Sequence, residues 1–124
     1  MDTATAPRTL TACPAERAMR AVEGRWKIFI VFYLLERTMR FAELQRAINS
    51  TNARAITPKM LTQELREMEA DGLIHREVYP QVPPKVEYSL TGLGRHLRIV
   101  VDAMGAWGEL AASEPDGVEA RSLT

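Results

Sequence analysis

The apolar positions of this chain change their spacing several times, and each change marks an element. Behind Pro14, Ala15, Met19 and Val22 recur at helical spacing, and proline suits the first turn of a helix. Gly24 ends that run. Residues 26–35, WKIFIVFYLL, are apolar all round, with Lys27 as the one charge. Their β-branched members would suit a strand, but ten residues without alternation predict a buried central helix. A polar break follows at 37–40, where Met39 and Arg40 are expected to add one short edge strand. Over 40–48, Phe41, Leu44 and Ile48 share a helix face, and 49–56, NSTNARAI, reads as a loop by composition. The stretch 57–71 has both helix ends marked. Thr57 is a suitable N-cap, Pro58 fits the first helical position, and Gly72 fits the left-handed C′ position. Leu61, Leu65 and Met68 stack on one side of it, with Met60 beside them.

After Gly72 the period shortens towards two. Residues 73–79 alternate in part and 85–90 alternate cleanly, with Val86, Tyr88 and Leu90 on one side and Lys85, Glu87 and Ser89 on the other. Pro80, Pro83 and Pro84 stiffen the connection, so the two runs form a hairpin with an extended tip. Thr91 is then expected to cap one last helix reaching to about residue 112. Its stripe holds Leu93, Leu97, Val100, Met104, Trp107 and Ala111, with Val101 beside it. Gly92, Gly94, Gly105 and Gly108 are costly in a helix interior and are expected where another helix packs close. The fold class is therefore mainly α with a small β-hairpin: a winged helix-turn-helix with N- and C-terminal dimerisation helices. Residues 1–12 read as a flexible arm, 13–112 as the domain and 113–124 as a disordered acidic tail.

At 124 residues, 46% hydrophobic and 26% charged, the chain has the make-up of one soluble domain with a modest core. Its formal net charge is zero, so an anion-binding surface has to come from local sorting of charge. Such sorting is visible in the 57–71 helix. That segment is acidic as a whole, yet the face opposite its apolar stripe holds Lys59, Thr62, Gln63, Arg66 and Ala70, with Glu64, Glu67 and Glu69 on the flanks. A surface that meets phosphates must exclude carboxylates, and lysine, glutamine and arginine are the donors that reach base edges. Thr57, Lys59, Thr62, Gln63 and Arg66 are thus the candidate DNA contacts of the helix, with Arg40, Arg76 and Lys85 as flanking contacts to the phosphate backbone. A plain amphipathic surface helix is the competing reading.

The chain resembles the HxlR-type transcriptional regulators. The matching residues are Cys13-Pro14, Gly24-Arg25-Trp26-Lys27, Arg40-Phe41-Ala42-Glu43-Leu44, the run from Lys59 through Leu73, and Val86-Glu87-Tyr88-Ser89-Leu90-Thr91 with Gly94 and Trp107. The resemblance spans about residues 13–112. One departure is the loop 49–56, a few residues longer than the tight turn of the family, which bears on the register of the following helix. The resemblance implies a homodimer that binds double-stranded DNA as a repressor or activator. Met19, Leu97, Val101, Met104 and Trp107 are the expected dimer-interface residues, because so long an apolar stripe on a small monomer marks an interface.

Some family members with the early cysteine sense oxidants or electrophiles through it, which makes Cys13 the candidate redox sensor. It precedes Pro14 at a helix N-terminus, where backbone charge favours an anion. The competing reading is a small residue filling space beside the first helix. As the single cysteine it has no internal disulfide partner, and it fits a reducing cytoplasm. A small-molecule effector is a further partner that the resemblance leaves open. No apolar run is long enough to span a membrane. His75 and His96 lack ligands at metal spacing, so neither a metal nor any other cofactor is expected. No nucleophile-base grouping or phosphate loop supports an enzyme. The alternative function is a winged-helix protein-interaction module without DNA binding.

Overall fold

The computed structural model describes residues 13–114. The expected arm at 1–12, and the expected tail from residue 115 onward, lie outside the described residues. The chain runs α1 (Pro14–Ala21), α2 (Lys27–Glu36), β1 (Met39–Arg40), α3 (Phe41–Ser50), α4 (Pro58–Ala70), β2 (Ile74–Tyr79), β3 (Lys85–Leu90), α5 (Gly92–Arg95) and α6 (Arg98–Ser113). The three strands form an antiparallel sheet in the order β1-β3-β2. Met39 and Arg40 do form an edge strand, paired with Tyr88 and Glu87. No helix among the described residues is long and apolar enough to cross a membrane.

Burial of α2 organises the core. Ile30, Val31 and Leu34 pack with Leu44 and Ile48 of α3, Leu61, Leu65 and Met68 of α4, and Leu73, Ile74 and Leu90 of the hairpin. Burying one such aliphatic side chain contributes roughly 1.5–3 kcal/mol. Both ends of α4 are closed by local chemistry. The Thr57 hydroxyl accepts the Met60 N–H at 3.1 Å. At the other end Gly72 adopts φ +77°, its N–H donates to the Glu69 carbonyl, and the Leu73 N–H donates to the Met68 carbonyl. This is a Schellman closure, completed by burial of Met68 and Leu73.

Four expectations are corrected. The last helix is two helices. Thr91 caps α5, accepting the Gly94 N–H at 3.0 Å and donating to the Gly72 carbonyl at 2.7 Å. The chain then turns at His96 and Leu97 before α6 begins. That turn carries Leu97 into the core, so Leu97 is not part of an exposed interface stripe. Second, Asn49 and Ser50 belong to α3, so the loop to α4 is shorter than composition suggested. Third, the glycines do not share one reason. A Cβ on Gly94 would collide with the Leu73 carbonyl oxygen of the neighbouring hairpin, whereas Gly92, Gly105 and Gly108 have no neighbour at that position among the described residues of the protomer. In addition, α6 runs through Ser113, one residue into the expected tail.

Candidate nucleic-acid interface

The turn before α4 is held by side chains of α3. The Asn49 carbonyl oxygen accepts the Ile56 N–H at 2.8 Å, and the Gln45 amide donates to the Ile56 carbonyl at 3.2 Å. Asn52 donates to the Ile48 carbonyl at 2.7 Å. With Ile56 buried, these bonds satisfy a backbone that would otherwise be stranded. They also fix the direction in which α4 leaves the turn.

The rotation of α4 about its axis is set by charge as well as by its apolar stripe. Lys27, at the start of the buried α2, is only 2% exposed. Its Nζ donates to Glu64 Oε1 at 2.7 Å and Glu67 Oε1 at 2.6 Å. A buried ammonium requires such partners, since desolvation without them costs several kcal/mol. Both carboxylates are thereby turned towards α2, which leaves Lys59, Gln63, Arg66 and Ala70 around the outward side. Lys59 and Arg66 are exposed, and Thr57 is exposed at the cap. Gln63 is half-buried, and its amide nitrogen donates to Glu67 Oε2 at 3.0 Å.

The hairpin separates two of the predicted backbone contacts. Arg76 lies opposite Tyr88 and shares its face of the sheet, towards α4. There Thr62, Leu65, Arg66, Glu69, Arg76 and Tyr88 line a groove of about 360 Å³. Lys85 is on the opposite face with Glu87. Its Nζ sits 4.8 Å from the Tyr79 ring centre and 3.5 Å from Glu87. A hydrogen bond to Glu87, and that residue's charge, hold the Tyr79 phenol above its ordinary pKa. Arg40 pairs with Glu87 from β1 and therefore belongs to the Lys85 face. Arg37, Arg40 and Arg46 line a concavity of about 580 Å³ with Glu87. Glu43 orders its rim: it accepts the Arg40 N–H at 2.9 Å and pairs with Arg37 at 3.3 Å. Those two contacts, the backbone bond first, hold the Glu43 carboxyl below its ordinary range.

The candidate DNA residues thus fall into two groups. Lys59, Thr62, Gln63, Arg66 and Arg76 gather on and beside α4, while Arg40 and Lys85 lie across the sheet. Sequence reasoning passed over Arg37, Arg46 and Tyr79, and it read Lys27 as an isolated charge. The signal for Lys27 was present: one lysine opening an apolar helix, and Glu64 and Glu67 three residues apart on one flank. Cys13 is exposed at the N-cap of α1, its carbonyl accepting the Arg17 N–H at 3.1 Å. Met19, Met104 and Trp107 are exposed and Val101 is half-buried.

Comparison with known proteins identifies the family of the chain. The model of a family described as HxlR-like helix-turn-helix matches residues 21–116. An uncharacterized HTH-type transcriptional regulator of Bacillus subtilis, YybR, is 48% identical over 97 residues, covering 78% of this chain and 74% of the relative. The reduced form of the redox regulator HypR superposes with a TM-score of 0.72 at 46% identity, covering 82% of this chain and 95% of that one. Diamide-treated YodB from B. subtilis gives a TM-score of 0.65 at 34% identity, covering 81% and 95%.

Proposed function

The chain belongs to the HxlR-like helix-turn-helix family of DNA-binding transcriptional regulators, and we propose that it acts as a homodimer on a pseudo-palindromic operator. The observation that carries the reading is the sorting of α4. Its carboxylates Glu64 and Glu67 are drawn onto Lys27, and the donors Lys59, Gln63 and Arg66 remain on the outward side. That side enters the major groove, with Thr57 and Thr62 at its margin. Arg40, Arg76 and Lys85 contact phosphates. Support for the homodimer comes from α1 and α6, neither of which has a buried residue. Met19, Met104 and Trp107 are 68%, 51% and 64% exposed, an apolar surface that a two-fold mate would cover, with Val101 at its edge. Two recognition helices related by that axis reach half-sites about 34 Å apart.

The test is selection of binding sites from a random duplex library, combined with sedimentation. Recovery of inverted half-sites about one helical turn apart supports the reading. A protein that stays monomeric at tens of micromolar, on the order of weak interface affinities, refutes the dimer. Retention on heparin that does not weaken with salt refutes phosphate contact.

A redox response is a second reading, favoured by the exposed thiol of Cys13 and by the likeness to a protein named as a redox regulator. Diamide would take two electrons and two protons from two thiols, joining Cys13 either to its counterpart in the mate or to a small thiol. Operator affinity that changes with diamide in the wild type, and not in Cys13→Ser, supports this. Identical responses leave Cys13 a structural residue.

A further inference from the structure

We infer that Lys27 and Glu67, neither of which need touch DNA, decide which base Gln63 accepts. They are positioning residues in a relay that runs from the buried α2 to the outward side of α4. The inference rests on the reading of α4 as the recognition helix. Glu67 uses its two oxygens differently: Oε1 faces Lys27 Nζ at 2.6 Å, and Oε2 accepts from Gln63 Nε2 at 3.0 Å. A carboxylate has only acceptors, so the group of Gln63 that meets it must be the amide nitrogen. The orientation of the amide therefore follows from the chemistry of its neighbour.

An unrestrained glutamine turns its amide over through a broad, two-fold torsion and offers a base either a carbonyl or an NH₂. Gln63 in the relay cannot turn over without setting its carbonyl against Glu67. Its carbonyl oxygen is the group left for the groove, accompanied by no more than one N–H. Through its carbonyl such a group meets the donors adenine N6 and cytosine N4, and only the one remaining N–H is left for the acceptors guanine O6 and thymine O4. Lys27 supplies the other half of the restraint. Its buried charge draws Glu67 to the α2 side, and loss of that charge weakens the hold on the carboxylate that Gln63 meets. Glu64 provides an internal control, because it binds the same ammonium at 2.7 Å and has no hydrogen bond to Gln63.

The experiment selects sites from a random duplex library with the full chain and four variants, and ranks the bases at each position. Wild type should prefer adenine or cytosine at one position per half-site, and Gln63→Ala should erase that preference alone. Glu67→Gln, whose amide can donate as well as accept, should relax the same position by about tenfold while the rest of the motif stays unchanged. Glu64→Gln and the charge-preserving Lys27→Arg should keep the wild-type preference. If Glu67→Gln selects the wild-type base while Gln63→Ala does not, the relay is wrong and the reading face stands. If Gln63→Ala is silent at every position, both fail. If Glu64→Gln relaxes the preference as much as Glu67→Gln, the effect is a loss of helix position and the relay is overturned.

Discussion

Asn49 and Ile56 form a closed pair across the turn that precedes α4. The Asn49 side chain accepts the Ile56 N–H at 2.8 Å and lies 3.5 Å from the Ile56 carbonyl through its amide nitrogen. One side chain thus takes the place of a β-ladder for a buried residue. Asn49→Ala should strand the Ile56 N–H and cost about 1–3 kcal/mol in urea unfolding. Asn49→Asp keeps the acceptor and should cost less, although its second oxygen then faces the Ile56 carbonyl. Equal stability of all three proteins would show that water replaces the bond.

Lys27→Met should destabilise the protein by about 3 kcal/mol, because it removes the buried ammonium that Glu64 and Glu67 both meet. Adding Glu64→Gln and Glu67→Gln to that variant should restore much of the loss. Chemical denaturation of the single and triple variants reads both effects. A triple variant no more stable than the single one would assign the loss to packing of the lysine stem.

Gly94→Ala should lower stability by about 1–3 kcal/mol, since its Cβ would meet backbone, which cannot rotate aside. Gly105→Ala meets open space within the protomer and should raise protomer stability by about 1 kcal/mol through helix propensity. Thermal unfolding separates the two. A neutral Gly94→Ala would mean that α5 moves away from the hairpin at little cost.

Acid should weaken the start of α3. Glu43 has a carboxyl pKa below its ordinary value of 4.5, chiefly because it accepts the Arg40 N–H. A carboxyl lowered in the folded state contributes stability above its unfolded pKa and loses it as the pH falls through the folded one. The stability difference between wild type and Glu43→Gln should therefore be constant at neutral pH and shrink from about 4.5 downwards. A difference that persists at lower pH would show that the hydrogen bond needs no charge.

The wing should respond to charge without altering sequence preference. On the proposed reading Lys85→Ala removes a phosphate contact, so it should weaken all duplexes alike and lower the salt dependence by about one unit. Glu87→Gln should do the opposite, because it releases Lys85 from a carboxylate. Gln63→Ala, by contrast, should cost roughly 1–3 kcal/mol on the operator and relax one base position. A Lys85→Ala protein with an unchanged salt slope would remove the wing from the interface.

The sequence by itself determined the elements whose ends are local chemistry. Thr57, Pro58 and Gly72 bound α4 because capping and left-handed closure involve atoms a few residues apart. The clean alternation of 85–90 likewise marks β3, and the apolar run after Trp26 marks the central helix. Tertiary structure alone decided which charges belong together. Lys27 meets Glu64 and Glu67 across separations of 37 and 40 residues, and no local pattern orients α2 against α4 to bring them within bonding distance. The register that sets Tyr79 opposite Lys85 placed Arg76 and Lys85 on different faces of the hairpin, because side chains alternate and one step exchanges the faces. The break before α6 arose in the same way. Its apolar stripe continues at helical spacing through Leu97, but α5 must lie against the Leu73 carbonyl at Gly94, and the chain turns there to bury Leu97.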